Sequence, residues 1–132
     1  AETGSVLPAL IKGLDDPVQG VRYQAILAIN NLPVEPAQAN AVVPAMVKVL
    51  QDPQLFGVTR YACFTLAAYG TNSQAALPPL FQFLRSRPPN ATSPEFFQII
   101  VNTIRAIDPE TARQNEEELD AILQKSPTRP RP

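Results

Sequence analysis

The sequence predicts an all-α protein built as an array of three stacked helix pairs. Its main evidence is a block at residues 14–29, "LDDPVQGVRYQAILAI", which returns in altered form as "LQDPQLFGVTRYACFTL" at residues 50–66. The matches are Leu14 with Leu50, Asp16 with Asp52 and Pro17 with Pro53 at a shift of 36, and Val21 with Val58 and Ala25 with Ala62 at a shift of 37. Such a block recurs when a helix pair cannot bury its apolar face alone and needs a similar neighbour.

The first unit starts with "VLPALIKGL" at residues 6–14, where apolar residues recur at helical spacing. Asp16 precedes Pro17, and a residue before proline is disfavoured in the α region, which predicts a turn. We expect Asp16 to cap the second helix, with Pro17 at its first position and an end near Leu32.

The second unit repeats this plan, with a helix from about Pro36 to Leu50, a "QDP" turn, and a helix that Gly70 ends after about Tyr69. In the third unit, "NSQAALPPLFQFL" precedes the longer turn "RSRPPNAT", and Ser93 and Pro94 open the next helix. Asp108 and Pro109 then predict the cap and first position of a final helix.

The three units resemble HEAT repeats over residues 6 to about 124. The resemblance is carried by Leu7-Pro8, Val43-Pro44 and Leu77-Pro78 in the first helices and by the "DP" turns at 16–17 and 52–53. It implies a right-handed α-solenoid of three HEAT-like helix pairs plus a C-terminal capping helix, in which the second helices line the concave face. Unit three departs from the pattern, because "RSRPPNATSPE" replaces its "DP" turn.

The expected organisation follows from these units. Residues 1–5 are expected to be disordered or cloning-derived, residues 6–125 to form the repeat domain, and residues 126–132 to be a disordered Pro/Arg tail. Within the domain, the repeats span about 6–33, 36–70 and 73–107, and the capping helix spans 109–124.

A helical wheel predicts which residues of the second helices are buried. The predicted core residues are Val21, Ala25, Ala28, Ile29 and Leu32 in unit one; Val58, Ala62, Thr65, Leu66 and Tyr69 in unit two; and Phe96, Ile100, Thr103, Ile104 and Ile107 in unit three. Opposite this core lie Ala67, Gln98 and the candidate binding residues Tyr23, Leu27, Asn30, Arg60, Phe64, Asn102 and Arg105. Because Tyr and Arg are enriched at interface hot spots, these positions favour a protein-binding ridge; the alternative is that neighbouring helices half-bury them.

Composition argues against several kinds of chemistry. There is no histidine, which excludes His-based catalytic triads, His metal sites and the di-iron sites of HEAT-like hydroxylases. Cys63 is the single cysteine, so no intrachain disulfide forms, and we interpret it as structural. The net charge of −1 and the absence of Trp speak against a DNA glycosylase of HEAT-like architecture. We interpret "NEEELD" at 115–120 as a solvated helix face, and "NAT" at 90–92 matches a glycosylation sequon.

The sequence therefore predicts a non-catalytic module that binds a protein or peptide on its concave face, with no cofactor and no nucleic-acid partner. No apolar run reaches the roughly 18 residues of a membrane span, and the cysteine content is compatible with a cytoplasmic location. Two alternatives stay open: a structural fragment of a longer array, and an enzyme such as a bilin lyase-type protein.

Overall fold

The computed structural model describes residues 2–86 and 94–125, and these ranges contain helices and no strand. The eight α-helices within them are α1 Glu2–Gly13, α2 Gln19–Asn31, α3 Ala39–Leu50, α4 Thr59–Tyr69, α5 Leu77–Ser86, α6 Pro94–Ile107, α7 Pro109–Gln114 and α8 Glu116–Lys125. Three 3₁₀ helices connect them, at Pro36–Gln38, Pro53–Val58 and Gly70–Ala76. The predicted all-α fold of three helix pairs with a C-terminal helical cap is confirmed.

The helices pack in pairs, α1 with α2, α3 with α4 and α5 with α6. The second helices lie side by side, and α4 is in the middle because it contacts both α2 and α6. At the first pair, α1 comes close to α2 at Gly13, where an added Cβ would lie 3.2 Å from the Cβ of Ala25. A continuous apolar core runs through all three pairs and includes Ile26, Met46, Leu66, Leu84 and Ile104.

Local sequence explains where the helices begin and end. The Asp108 carboxylate accepts hydrogen bonds from the backbone N–H groups of Glu110 and Thr111, both at 3.2 Å, and Pro109 is the first residue of α7, as predicted. Gly70 follows the last residue of α4 with a φ of +55°, a conformation that residues with a Cβ rarely adopt.

The first turn differs from its prediction. The Asp16 carboxylate accepts a hydrogen bond from the Val18 N–H at 2.8 Å, but α2 begins only at Gln19, two residues after Pro17. The buried Arg22 guanidinium donates to the carbonyl oxygens of Asp16 at 2.7 Å and Pro17 at 3.2 Å. This side chain therefore satisfies turn carbonyls that would otherwise lack a partner.

Two expected boundaries also change. The N-terminal segment expected to be disordered contributes backbone to α1, which begins at Glu2. The capping helix expected at 109–124 is two helices, α7 and α8, separated by Asn115. Asn115 leaves the helical region, with φ −113° and ψ 20°, and its side-chain amide donates to the Thr111 carbonyl at 2.8 Å. The expected tail at 126–132 and the sequon at 90–92 lie outside the described residues.

The predicted core is confirmed for unit two, where Val58 just before α4 and the four residues within α4 are all buried, and for four of the five in α6. Phe96 is the exception in α6; it is half-buried and meets the Phe83 ring edge to face at a centroid distance of 5.4 Å. In α2 the prediction is wrong by about one residue: Val21 is 42% exposed, whereas Arg22 and Ile26 are buried. Ala25 and Ile29 are buried as expected, and Ala28 and Leu32 are half-buried.

Candidate functional site

The candidate site is the surface formed by the outward sides of α2, α4 and α6, which we call the second-helix face. It is defined by the seven candidate residues Tyr23, Leu27, Asn30, Arg60, Phe64, Asn102 and Arg105. The exposed fraction of these side chains differs from one helix to the next.

On α4, in the middle of the face, Arg60 and Phe64 are exposed, and Phe64 retains 45% of its accessible surface. Between them lies Tyr61, half-buried against the core. The Tyr61 and Phe64 rings meet edge to face, with centroids 6.0 Å apart and planes at 89°. The Arg60 guanidinium carbon lies 5.1 Å from the centroid of the Tyr61 ring, and its Nη2 donates to the Tyr61 hydroxyl at 3.4 Å.

These three residues, Arg60, Tyr61 and Phe64, form what we call the Arg–Tyr–Phe cluster. Tyr61 anchors it, because this ring packs on the core and contacts both exposed side chains. Edge-to-face rings and a guanidinium over a ring are favourable geometries, so the two exposed side chains are held in place before any partner arrives. A partner therefore loses less conformational entropy on binding here than at a flexible surface.

On α2, the three candidate residues are half-buried, so they do not project freely outward as expected. The Asn30 side-chain carbonyl accepts a hydrogen bond from the Thr65 hydroxyl of α4 at 3.1 Å. The Tyr23 hydroxyl lies close to Gly57, where an added Cβ would be 3.4 Å from it. Because α2 is rotated from the predicted facing, Asn30 contacts α4 and Tyr23 contacts the 3₁₀ helix that precedes α4.

On α6, Asn102 and Arg105 are exposed. Asn102 accepts a hydrogen bond from the Gln98 side chain at 2.9 Å. Arg105 borders a surface pocket of about 260 Å³ that is also lined by Pro109, Ala112, Arg113 and Glu116. The pocket carries mixed charge, and the guanidinium of Arg113 is already bound by the Glu110 carboxylate.

Among the three helices of the second-helix face, α6 alone contains an acidic residue, Glu95 in its first turn. Neither α2 nor α4 contains an Asp or Glu. Elsewhere in the described ranges, three cations pair with carboxylates: Lys48 with Asp15 at 2.6 Å, Arg85 with Glu118 at 2.7 Å, and Arg113 with Glu110. Among the described residues, no carboxylate pairs with Arg60 or Arg105.

The cysteine and the acidic segment at residues 115–120 have structural roles or are exposed to solvent. Cys63 is fully buried in α4, and burial raises the pKa of its thiol to about 12, a shift that a hydrogen bond with Thr103 partly offsets. In the "NEEELD" segment, Glu116, Glu117 and Asp120 are exposed, and Glu118 binds Arg85. Within residues 2–86 and 94–125, no three His, Cys, Asp or Glu residues are grouped so that they could hold a metal ion. Every helix of these ranges is too short or too polar to cross a bilayer.

Tyr61 was missed by the sequence reasoning. The wheel placed it between the core and the outward positions, so neither set included it. Its signal was the local order "RY..F" in residues 60–64, which places a cation beside one ring and one helical turn before another.

Comparison with known proteins agrees with this architecture. The family model for HEAT repeats matches residues 7–93, which is about two thirds of the chain. No curated protein and no solved structure matches this chain. The match covers the first two helix pairs, α5 and the segment up to α6, and the described helices continue the same pairing through α6. The chain therefore belongs to the HEAT repeat family.

Proposed function

We propose that this chain is a non-catalytic interaction module that binds a protein or peptide partner on the second-helix face, with the Arg–Tyr–Phe cluster at the centre of the contact. HEAT repeats generally mediate protein–protein interaction or scaffolding and are typically non-catalytic. Beyond this general role, we propose the class of partner and the residues that bind it.

The observation that carries the proposal is the exposure of Phe64 within an ordered cluster. A large aromatic side chain at 45% exposure costs free energy in water, and a partner that covers it recovers part of that cost. Tyr61 and Arg60 flank it with the residue types that are most enriched at hot spots. The half-buried α2 residues extend the contact surface without being its centre.

The test is selection of peptides from a phage-displayed library of random 12-residue sequences on the immobilised chain, followed by affinity measurement on synthetic peptides. Phe64→Ala should weaken binding about fivefold or more, which corresponds to about 1 kcal/mol. Because the ring contributes little to the core, its removal should leave the melting temperature almost unchanged.

The matched control is Val34→Ala, since Val34 is similarly exposed but lies in the loop between α2 and α3. It should bind the selected peptides at wild-type affinity. If the double variant Arg60→Ala/Phe64→Ala also kept that affinity, the proposal would be wrong. A large fall in the melting temperature of Phe64→Ala would show instead that the ring is part of the core.

One observation favours the second candidate function, a structural unit of a longer array. Val6, Val18 and Val21 are exposed on α1, in the α1–α2 turn and on α2, and Val18 reaches 59% exposure. Val58, the counterpart of Val21 in the second pair, is buried. An edge that stacks on another repeat unit would bury these valines. Sedimentation velocity tests self-stacking: a mass that rises with concentration, and ceases to rise in Val21→Asp, supports it, and a monomer at all concentrations counts against it.

A further inference from the structure

We infer that the partner segment presents an apolar side chain to Phe64 and, one or two residues away, an aspartate or glutamate to Arg60. This inference rests on the proposed function and specifies the chemistry of the partner.

The charge of Arg60 favours an acidic group on the partner. Arg60 has five N–H donors, and within the described part of the chain one of them makes a long hydrogen bond of 3.4 Å to the Tyr61 hydroxyl. No carboxylate pairs with it there, and α2 and α4 supply none. An acidic group on a partner is the complement that α2 and α4 lack, since the acidic residue among the three helices of the face, Glu95, lies in the first turn of α6.

The Arg60 guanidinium is held in one orientation before a partner binds. Stacking on Tyr61 holds the guanidinium at 5.1 Å from the ring centroid, and the ring itself is packed on the core. A guanidinium binds a carboxylate through two parallel N–H groups, and a fixed plane favours that bidentate geometry. A flexible lysine at the same position would have to lose more rotamer entropy for a weaker bond.

The distance between Arg60 and Phe64 sets the spacing of the two partner side chains. Arg60 and Phe64 are four residues apart on one helix, so their Cβ atoms lie about 5–6 Å apart on the same side. An extended peptide advances about 3.3 Å per residue, so its apolar side chain and its acid are separated by one or two positions. The apolar contact also removes water from the neighbouring ion pair, which strengthens it.

Arg105 gives a second cation on the neighbouring α6, but it is a weaker candidate for the same role. The pocket it borders is lined by Glu116 as well, which would repel an incoming carboxylate. We therefore assign the acid of the partner to Arg60.

The experiment uses the peptides selected from the random library, whose displayed ends carry no free C-terminal carboxylate. Aspartate or glutamate should be enriched one or two positions from an aromatic or aliphatic residue. For one synthetic peptide of this type, Arg60→Gln should weaken binding about tenfold and Arg60→Glu more strongly, and added salt should weaken the wild-type complex more than the Arg60→Gln complex. Lys12→Gln, which removes an exposed cation from α1, is the control and should leave the affinity unchanged.

A charge exchange makes the test specific. The same peptide with its acid replaced by lysine should bind Arg60→Glu better than it binds the wild type. If Phe64→Ala abolishes binding while Arg60→Glu does not, and the selected peptides show no acid enrichment, the inference is wrong and the proposed function stands. If neither Phe64→Ala nor Arg60→Gln changes binding, the proposed function is wrong, and this inference with it.

Discussion

At the scale of single residues, three buried threonines of the second helices make hydrogen bonds within their own helix or to the turn that precedes it. Each of these threonines donates to the carbonyl four residues earlier: Thr59 to Leu55 at 2.9 Å, Thr65 to Tyr61 at 2.9 Å and Thr103 to Ile99 at 2.8 Å. Two of these hydroxyl groups also reach the neighbouring second helix, Thr65 to the Asn30 side-chain carbonyl at 3.1 Å and Thr103 to Cys63. The hydroxyl groups of these threonines can therefore be buried between adjacent second helices with their hydrogen bonds made.

Cys63 belongs to the same packed layer. Its thiol pKa of about 12 results first from burial, and the hydrogen bond with Thr103 lowers it again only in part. A thiol with this pKa is neutral at physiological pH and is a poor nucleophile, which agrees with its interpretation as a structural residue.

Ala62 is where side-chain volume should matter most in α4. It is fully buried, so Ala62→Leu should overpack the core and lower the free energy of unfolding by roughly 1–3 kcal/mol. Ala68→Leu makes the same change on the exposed side of the same helix and should cost less than about 0.5 kcal/mol. Urea denaturation measures both. Equal losses in the two variants would mean that the burial assigned to Ala62 is wrong.

At the scale of elements, an ion pair joins the last helix, α8, to the third helix pair. Arg85 of α5 donates from Nε and Nη2 to the two carboxylate oxygens of Glu118 in α8, at 2.7 and 2.8 Å. The Arg85 guanidinium carbon also lies 5.1 Å from the Phe81 ring centroid. Hydrogen bonds from Arg85, and its charge, hold the pKa of Glu118 below its usual value.

This ion pair predicts a pH dependence with a definite sign. A carboxylate whose folded pKa is depressed stabilises the fold above its unfolded pKa, near 4.5, and this contribution disappears as the pH falls through the folded pKa. Glu118→Gln should therefore be less stable than the wild type at pH 7, by up to about 1 kcal/mol, since the Arg85 side chain is exposed and that of Glu118 is partly exposed. At pH 3 the difference should be smaller.

Urea midpoints of both proteins at the two pH values measure the effect. Glu117→Gln, an exposed neighbour on α8, is the control and should follow the wild type at both. Asp108, whose pKa is lowered by hydrogen bonds from Thr111, adds an acid-sensitive contribution that all three proteins share. A difference between Glu118→Gln and the wild type that grows toward low pH would contradict the assignment.

Elements marked by a local chemical signal were predictable from the sequence. Pro94, Asp108 and Gly70 each fix a helix end through proline geometry, a side-chain cap or a positive φ, and all three lie where they were expected. The facing of α2 was not predictable in this way. A wheel based on apolarity rejects Arg22 from the core in favour of Val21, and it cannot represent the turn carbonyls that accept hydrogen bonds from Arg22.

For the candidate site too, the helical wheel predicted exposure within one helix but not contacts between side chains. The wheel found the exposed positions Arg60, Phe64 and Arg105, because facing within a single helix follows from its period. It missed Tyr61, which acts through contacts with the side chains on either side of it. It also treated Asn30 as outward, although the Thr65 hydroxyl of the next pair binds it; contacts between pairs depend on their relative placement, which a one-helix wheel does not include.

At the scale of the whole molecule, the fold is an array with a middle and two ends. Helix α4 contacts α2 on one side and α6 on the other, whereas α8 contacts α6 and α7. In such an array stability is approximately the sum of the units and of the interfaces between neighbours. The same loss of buried volume should therefore have different consequences in the middle and at the end.

The last prediction compares two leucines, both fully buried, Leu66 in α4 and Leu119 in α8. Leu66→Ala should lower the global free energy of unfolding by roughly 2–5 kcal/mol, because its cavity lies in the helix that joins the flanking pairs. Hydrogen–deuterium exchange should then become faster across α2, α4 and α6 together. Leu119→Ala creates a similar cavity at the end of the array, so faster exchange should be confined mainly to α7 and α8, which can open while the three pairs stay folded. The Arg–Tyr–Phe cluster should keep its peptide affinity in Leu119→Ala for the same reason. Uniformly faster exchange in both variants would contradict this array behaviour and would mean that the chain unfolds as one indivisible unit.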